Sequence, residues 1–86
     1  MRSVKLLYFA WLRERVGVAE EDLVLPANIA TVADLLTWLP QRSPVHAAAF
    51  ANTATVRCAV NQDFATTATP ISAGDEIAFF PPVTGG

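Results

Sequence analysis

The last six residues, 81–86, are the part of this sequence whose residue types best suit a chemical role. Pro81 and Pro82 cannot continue a sheet ladder and favour an extended backbone, and Gly85 and Gly86 leave the final positions without side chains. Six extended residues reach roughly 20 Å at about 3.3 Å each, which is enough to enter another protein's active site. We therefore expect the Gly86 carboxylate to be a reactant that passes through a narrow channel to ATP or to a nucleophile. An inert, frayed terminus is the alternative that this segment alone leaves open.

The other reactive side chains do not assemble a catalytic centre. Cys58 lies in phase with the apolar residues of a predicted strand, so we expect it in the core. His46 has no companion Cys or His at ligand spacing, which predicts an ordinary surface histidine and no metal site. Asp75 and Glu76 would point to opposite faces of a strand, which argues against a general acid and base pair. The chain is therefore not expected to be an enzyme by itself.

Composition predicts one small soluble domain that acts through partners. The 86 residues are 52% hydrophobic and 16% charged, against roughly 25% charged in typical domains, which excludes a disordered chain and leaves apolar surface for a partner. The net charge is −2 and the six basic residues are scattered, which excludes a nucleic-acid-binding face. We expect no signal peptide, and no segment approaches the roughly 18 consecutive apolar residues of a membrane span. With Cys58 as its lone cysteine, the chain is expected in a reducing compartment, the cytoplasm.

Apolar patterning predicts four main strands, at 4–9, 22–25, 56–60 and 76–80. The main helix begins at Thr31, where Asp34 three residues later suggests a capping box, and ends near Pro40. Shorter helical turns are expected at 10–16, ended by Gly17, and at 45–51, and a small extra strand follows a turn at 61–63. These elements predict an α+β fold of the β-grasp type, in which a mixed sheet of four to five strands packs on one main helix and the first and last strands are parallel neighbours. The domain would span 1–80, and an extended diglycine tail 81–86.

Strand alternation also predicts a patch beside the tail. Lys5 and Glu76 mark the solvent side of the first and last strands, and by a period of two Phe9 and Phe80 lie on that same side. Because parallel strands end at the same edge, both aromatic rings would sit where the tail leaves the sheet. An apolar patch at this position suggests docking to a partner.

The ending of the chain, residues 74–86, resembles that of the small, sulfur-carrying subunits of molybdopterin synthases, a ubiquitin-like β-grasp family. The resemblance extends upstream to Ala59-Val60-Asn61-Gln62, which is similar to the central strand and turn of that family. It also covers the first strand and following helix at 9–10, 12–14 and 16–17. Length and element order agree across nearly the whole chain, although Trp11 and the alanine-rich segment 47–51 depart from the family.

The resemblance implies a carrier without catalytic side chains. An E1-like adenylyltransferase would use ATP to convert the Gly86 carboxylate into an acyl-adenylate, which then becomes a thiocarboxylate. Activation is needed because a free carboxylate is a poor acyl donor, whereas an acyl-adenylate has a good leaving group. The loaded tail would insert into the large catalytic subunit and give its sulfur to cyclic pyranopterin monophosphate, forming the dithiolene of molybdopterin. The chain would bind no cofactor itself, and it has no Gly-rich phosphate loop for ATP.

The resemblance also implies the partners and the contact residues. The partners would be the large subunit in a heterotetramer, the adenylyltransferase, and a sulfur donor such as a cysteine desulfurase or a rhodanese-like protein. Gly86 would be the thiocarboxylate site and Gly85 its slender neighbour. The residues expected to contact the large subunit are Phe9, Phe80, Pro81, Pro82, Val83 and Thr84.

Three alternatives stay open at this point. A sulfur carrier for thiamine synthesis or tRNA thiolation would share the terminal glycines. A ubiquitin-like protein modifier would begin with the same acyl-adenylate but would form isopeptide bonds with lysines, so modified conjugates would identify it. A plain interaction domain with an inert tail would keep its function when Gly86 is deleted.

Overall fold

A computed structural model describes residues 2–52 and 55–82, and a five-stranded mixed sheet is its frame. The strands are β1 (Arg2–Tyr8), β2 (Glu20–Leu25), β3 (Arg57–Val60), β4 (Asp63–Phe64) and β5 (Glu76–Phe80). Their order across the sheet is β2-β1-β5-β3-β4. The central pair, β1 and β5, is parallel with Lys5 opposite Glu76, and every other pair is antiparallel. The predicted parallel pairing of the first and last strands is confirmed, and the sheet has the upper of the predicted strand numbers.

The helices are α1 (Ala10–Val16), α2 (Val32–Trp38) and α3 (Pro44–Ala49), and a 3₁₀ turn at Leu39–Gln41 follows α2. The predicted capping box is present, since Thr31 Oγ1 accepts the Asp34 N–H at 3.3 Å and Asp34 Oδ2 accepts the Thr31 N–H at 3.1 Å. Gly17 ends α1 with φ +93°, a left-handed conformation that glycine adopts without steric cost. The predicted main helix is therefore α2, and the two expected helical turns are α1 and α3.

The core lies between the inner face of the sheet and the helices. Strand alternation turns Leu6, Tyr8, Ile77 and Phe79 inward, and each is at most 1% exposed. Tyr8 and Phe79 stack with their ring centroids 6.1 Å apart, and Phe50 packs edge-on against both rings. These rings hold the segment after α3 against the two central strands.

The prediction of a surface histidine at position 46 is wrong. His46 is only 6% exposed, because α3, which packs on α1 and on the 3₁₀ turn, directs this ring toward Glu21 of β2. Its Nε2 lies 3.0 Å from Glu21 Oε1, and its Nδ1 lies 2.7 Å from Ser43 Oγ. The Tyr8 hydroxyl donates to the same Glu21 oxygen at 2.7 Å. A carboxylate only accepts hydrogen bonds, so Nε2 carries the hydrogen in this contact.

Glu21 is the centre of this polar cluster, since its carboxylate contacts Tyr8, His46 and Arg42. Burial raises the pKa of its carboxyl, but hydrogen bonds from His46 and Tyr8, together with the charges of His46 and Arg42, outweigh burial and leave that pKa below its ordinary value. Burial is also the first cause that raises the pKa of Tyr8, and the Glu21 hydrogen bond and charge raise it further. The cluster therefore keeps an ionised carboxylate between two hydrogen-bond donors, and these hydrogen bonds join α3 to β1 and β2.

Candidate partner-binding face and tail

The outer face of the sheet, opposite the helices, carries an apolar row. The ladder registers align Leu7 with Ala78, Ala78 with Ala59, and Ala59 with Phe64, so these four side chains cross four strands. Leu7 and Ala78 are half-buried, and Ala59 is buried between its neighbours. Two alanines in the middle make the row shallow at its centre. The row is a surface on which another protein can pack without first displacing bulky side chains.

A tight turn presents Phe64 at one end of this row. Asn61 and Gln62 have φ values of +52° and +73°, the left-handed pair that a two-residue hairpin requires. Asn61 Oδ1 accepts the backbone N–H of Glu76 at 3.0 Å, and its amide nitrogen donates to Asp75 Oδ1 at 3.0 Å. Asn61 thus fixes the hairpin to the start of β5, and this gives the Asn61-Gln62 segment of the resemblance a structural reason.

Phe64 is the functional candidate that the sequence analysis missed. It is 86% exposed, and its ring centroid lies 6.0 Å from that of Phe80. Leaving a phenylalanine in water forgoes about 1.5–3 kcal/mol of burial free energy, so such exposure favours a binding role. The face of Phe64 follows from its pairing with Ala59 across the turn, and a two-residue strand has too little alternation for the sequence alone to assign that face.

Phe80 and Phe9 flank the exit of the tail. The register Tyr8 opposite Phe79 places Phe9 and Phe80 directly after the paired positions, and the Phe9 N–H donates to the Phe79 carbonyl at 3.1 Å. Phe9 is 49% exposed, and Phe80 is half-buried against Phe64. Pro81 and Pro82 follow β5 and are half-buried. The geometry expected of Phe9 and Phe80 is present, whereas their contact with a partner stays a prediction.

The remaining tail residues, Val83, Thr84, Gly85 and Gly86, lie outside the described residues. Their predicted roles, and the division into a domain at 1–80 and a tail at 81–86, stay predictions. The described residues do show where the tail begins, after Phe80 at the end of β5. The tail departs from the centre of the sheet, where β5 is held between β1 and β3.

The other titratable residues do not form a second site. Cys58 is buried, as predicted, and burial raises the pKa of its thiol to about 11. Asp75 is occupied in its turn, where it accepts hydrogen bonds from Asn61 and from the Ser72 N–H. Within 2–52 and 55–82, no three His, Cys, Asp or Glu residues are grouped so that they could hold a metal ion. No helix in that part of the chain has the length and apolar character needed to cross a membrane.

Comparison with known proteins identifies relatives over the whole chain. The profile of the ThiS family matches residues 6–86. The molybdopterin synthase sulfur carrier subunit of Escherichia coli (strain K12) is 39% identical over 83 residues, which cover 96% of this chain and 99% of that protein. The protein of the same name from Mycobacterium tuberculosis (strain H37Rv) is 35% identical over 86 residues, covering all of both chains.

A solved structure has the same architecture. The small archaeal modifier protein SAMP1 of Haloferax volcanii superposes with a TM-score of 0.75 at 29% identity, covering 98% of this chain and 99% of that one. The ubiquitin-like β-grasp fold is therefore common to this chain and to a protein named as a modifier.

Proposed function

This chain belongs to the ThiS family, and from that premise we propose that it is the sulfur carrier subunit of a molybdopterin synthase. Gly86 would carry the sulfur as a thiocarboxylate and deliver it to cyclic pyranopterin monophosphate. The observation that best supports this proposal is the place where β5 ends and the tail begins. The tail starts after Phe80, on a face where Phe9 and Phe64 are exposed and Phe80 is half-buried. If the large subunit binds this face, the tail would begin next to the interface and could extend into that subunit.

The proposal divides the chemistry between the chain and its partners. An E1-like adenylyltransferase would bind ATP and form the acyl-adenylate at Gly86. A cysteine desulfurase or rhodanese-like protein would supply the sulfur as a persulfide, whose attack on the acyl-adenylate expels AMP and forms an acyl disulfide. A second thiol would then cleave the sulfur–sulfur bond, releasing the thiocarboxylate and leaving the two thiols as a disulfide. The large subunit would hold the precursor and supply the catalytic side chains. The carrier itself would bind no cofactor, and the cytoplasm would be its place because its cysteine is free and buried.

The intact mass of the carrier tests the sulfur chemistry. The protein is incubated with a cognate adenylyltransferase, ATP and a sulfur source, beside a variant that lacks Gly86. We expect a mass gain equal to the exchange of one oxygen for sulfur, and no gain in the truncated variant. If the full chain gains no mass while the same enzymes load another carrier, the sulfur proposal fails.

Affinity for the large subunit tests the docking face. Phe64→Ala should weaken binding about thirtyfold, because about 2 kcal/mol of phenylalanine burial would be lost. Val45→Ala is the matched control, since Val45 is also exposed, at 47%, but lies on α3 behind the sheet. Calorimetric titration of both variants separates the two surfaces. Equal affinities for wild type and Phe64→Ala would exclude this face as the binding surface.

A protein modifier is the second candidate, and the whole-chain likeness to SAMP1 favours it. It would start from the same acyl-adenylate, but a lysine amine would attack the carbonyl and form an isopeptide bond. Conjugates with a glycine remnant on lysine, detected by peptide mass spectrometry after activation in cell extract, would establish it. Thiocarboxylate formation without conjugates would support the carrier alone.

A further inference from the structure

Charged residues are unevenly distributed on the outer face of the sheet. At the end remote from the tail, Lys5 lies between Asp22 and Glu76 in the ladder registers, so its charge is balanced by two acids. Glu20 adds a further exposed carboxylate beside Leu7. The β2 side of the outer face is therefore acidic overall.

Arg57 is the contrasting charge on this face. It is exposed on β3, directly opposite Phe80, and three strands from the acids of β2. At about 4.8 Å per strand, this separation is roughly 14 Å across the sheet. Among the described residues, both ion pairs involve Glu21, so Arg57 has no acidic partner there. A cation thus stands beside the aromatic rings and the tail exit, and the acids stand on the far side of the apolar row.

We propose that Arg57 fixes the orientation in which the outer face docks on the large subunit, by pairing with an acidic side chain there while Glu20 and Asp22 face basic ones. This inference rests on the proposed function, and it assigns the chemistry of the partner surface: an apolar centre, an acidic rim beside the tail channel and a basic rim opposite β2.

The physical reason is that apolar contact alone does not set direction. Burial of Phe64, Phe80 and the two alanines of the row, Ala59 and Ala78, is non-directional. A rotated docking would therefore bury a similar apolar area. The tail, however, reaches a channel in only one orientation. A half-turn of the face would put Arg57 against the basic rim and the β2 acids against the acidic rim, and like charges brought together disfavour the wrong complex.

The test measures affinity of the full chain for the large subunit at low and high salt. Arg57→Glu should weaken binding about tenfold at low salt, because it replaces attraction with repulsion, and Arg57→Gln about threefold. The difference should shrink at high salt as the charges are screened. Glu20→Lys combined with Asp22→Lys should weaken binding in the same way. Arg13→Glu is the control, since Arg13 is exposed on α1, away from the sheet face.

The outcomes separate this inference from the function on which it rests. Thermal melts of each variant establish that it is folded, and Arg57→Gln keeps the strand position polar if Arg57→Glu destabilises it. If wild type binds and the Arg57 variants bind equally well, only this inference is overturned. If the wild-type chain does not bind the large subunit, the proposed function falls with it. Weakening by Arg57→Glu that persists unchanged at high salt would also overturn the electrostatic role.

Discussion

Replacing Glu21 with glutamine keeps the shape of the side chain and removes the charge that joins β2 to α3. The carboxylate accepts from the Tyr8 hydroxyl at 2.7 Å and from His46 Nε2 at 3.0 Å, and lies 3.8 Å from Arg42. Hydrogen bonds to a charged group contribute roughly 1 kcal/mol more than neutral ones, so two of them predict a loss of about 2 kcal/mol. The Glu21 side chain is 21% exposed, so water screens part of these interactions and the loss should lie below the full sum. We therefore expect the free energy of unfolding at pH 7 to fall by about 1–2 kcal/mol and Tm by roughly 5–10 °C.

The pH dependence of the same variant is the sharper test. Because the folded pKa of Glu21 is lowered from about 4.5, the unfolded chain takes up this proton at a higher pH than the folded one. The stabilisation is therefore fully present above the unfolded pKa, and it is lost as the pH falls through the folded pKa. Urea unfolding followed by circular dichroism should show the gap between wild type and Glu21→Gln narrowing steadily below pH 4.5. Equal stability at pH 7, or a gap of constant size in acid, would refute the role given to this carboxylate.

Two further predictions concern the core. The Cys58 thiol, with its pKa raised to about 11 by burial, should react with a thiol reagent at pH 8 far more slowly in the folded chain than in denaturant; equal rates would show that it is accessible. Phe50→Ala should lower the free energy of unfolding by about 3–5 kcal/mol, because Phe50 is 2% exposed and packs on Tyr8 and Phe79. Phe64→Ala, at an exposed position, should change it by less than about 0.5 kcal/mol. Urea unfolding measures both variants, and similar losses in the two would contradict the assignment of inner and outer faces.

The sheet could be predicted from sequence where strand alternation and turn chemistry acted together. The segments around Lys5 and Glu76 are apolar on both faces, which is typical of central strands, and their pairing follows from that pattern. The capping box at Thr31 and the end of α1 at Gly17 depend on local chemistry, so the sequence predicts them directly. The capping box and the Gly17 helix end need no information about distant residues.

The burial of His46 could not be predicted in the same way. Its acidic partner, Glu21, lies 25 positions away in the chain, and only the packing of α3 on α1 and on the 3₁₀ turn brings the two side chains together. A search for metal-ligand spacing is therefore uninformative about a histidine held by a carboxylate. Phe64 was missed for a different reason, because a two-residue strand carries too little alternation to assign its face. The roles of Gly85 and Gly86 come from resemblance alone and await the mass measurement.

The parallel pairing of β1 with β5 also governs when this protein can fold. Lys5 meets Glu76, which lies 71 positions later (76 minus 5), so the central contact of the sheet closes nearly the whole chain into a loop. Contacts of such high sequence separation form slowly, because loop-closure entropy is lost before they can stabilise the fold. During synthesis β1 and β2 can form only a hairpin, which is marginal alone, and the sheet must wait until residue 80 has been made. A chain interrupted before β5 therefore lacks the strand that holds its core together, and any folded molecule has already been synthesised up to the start of its tail.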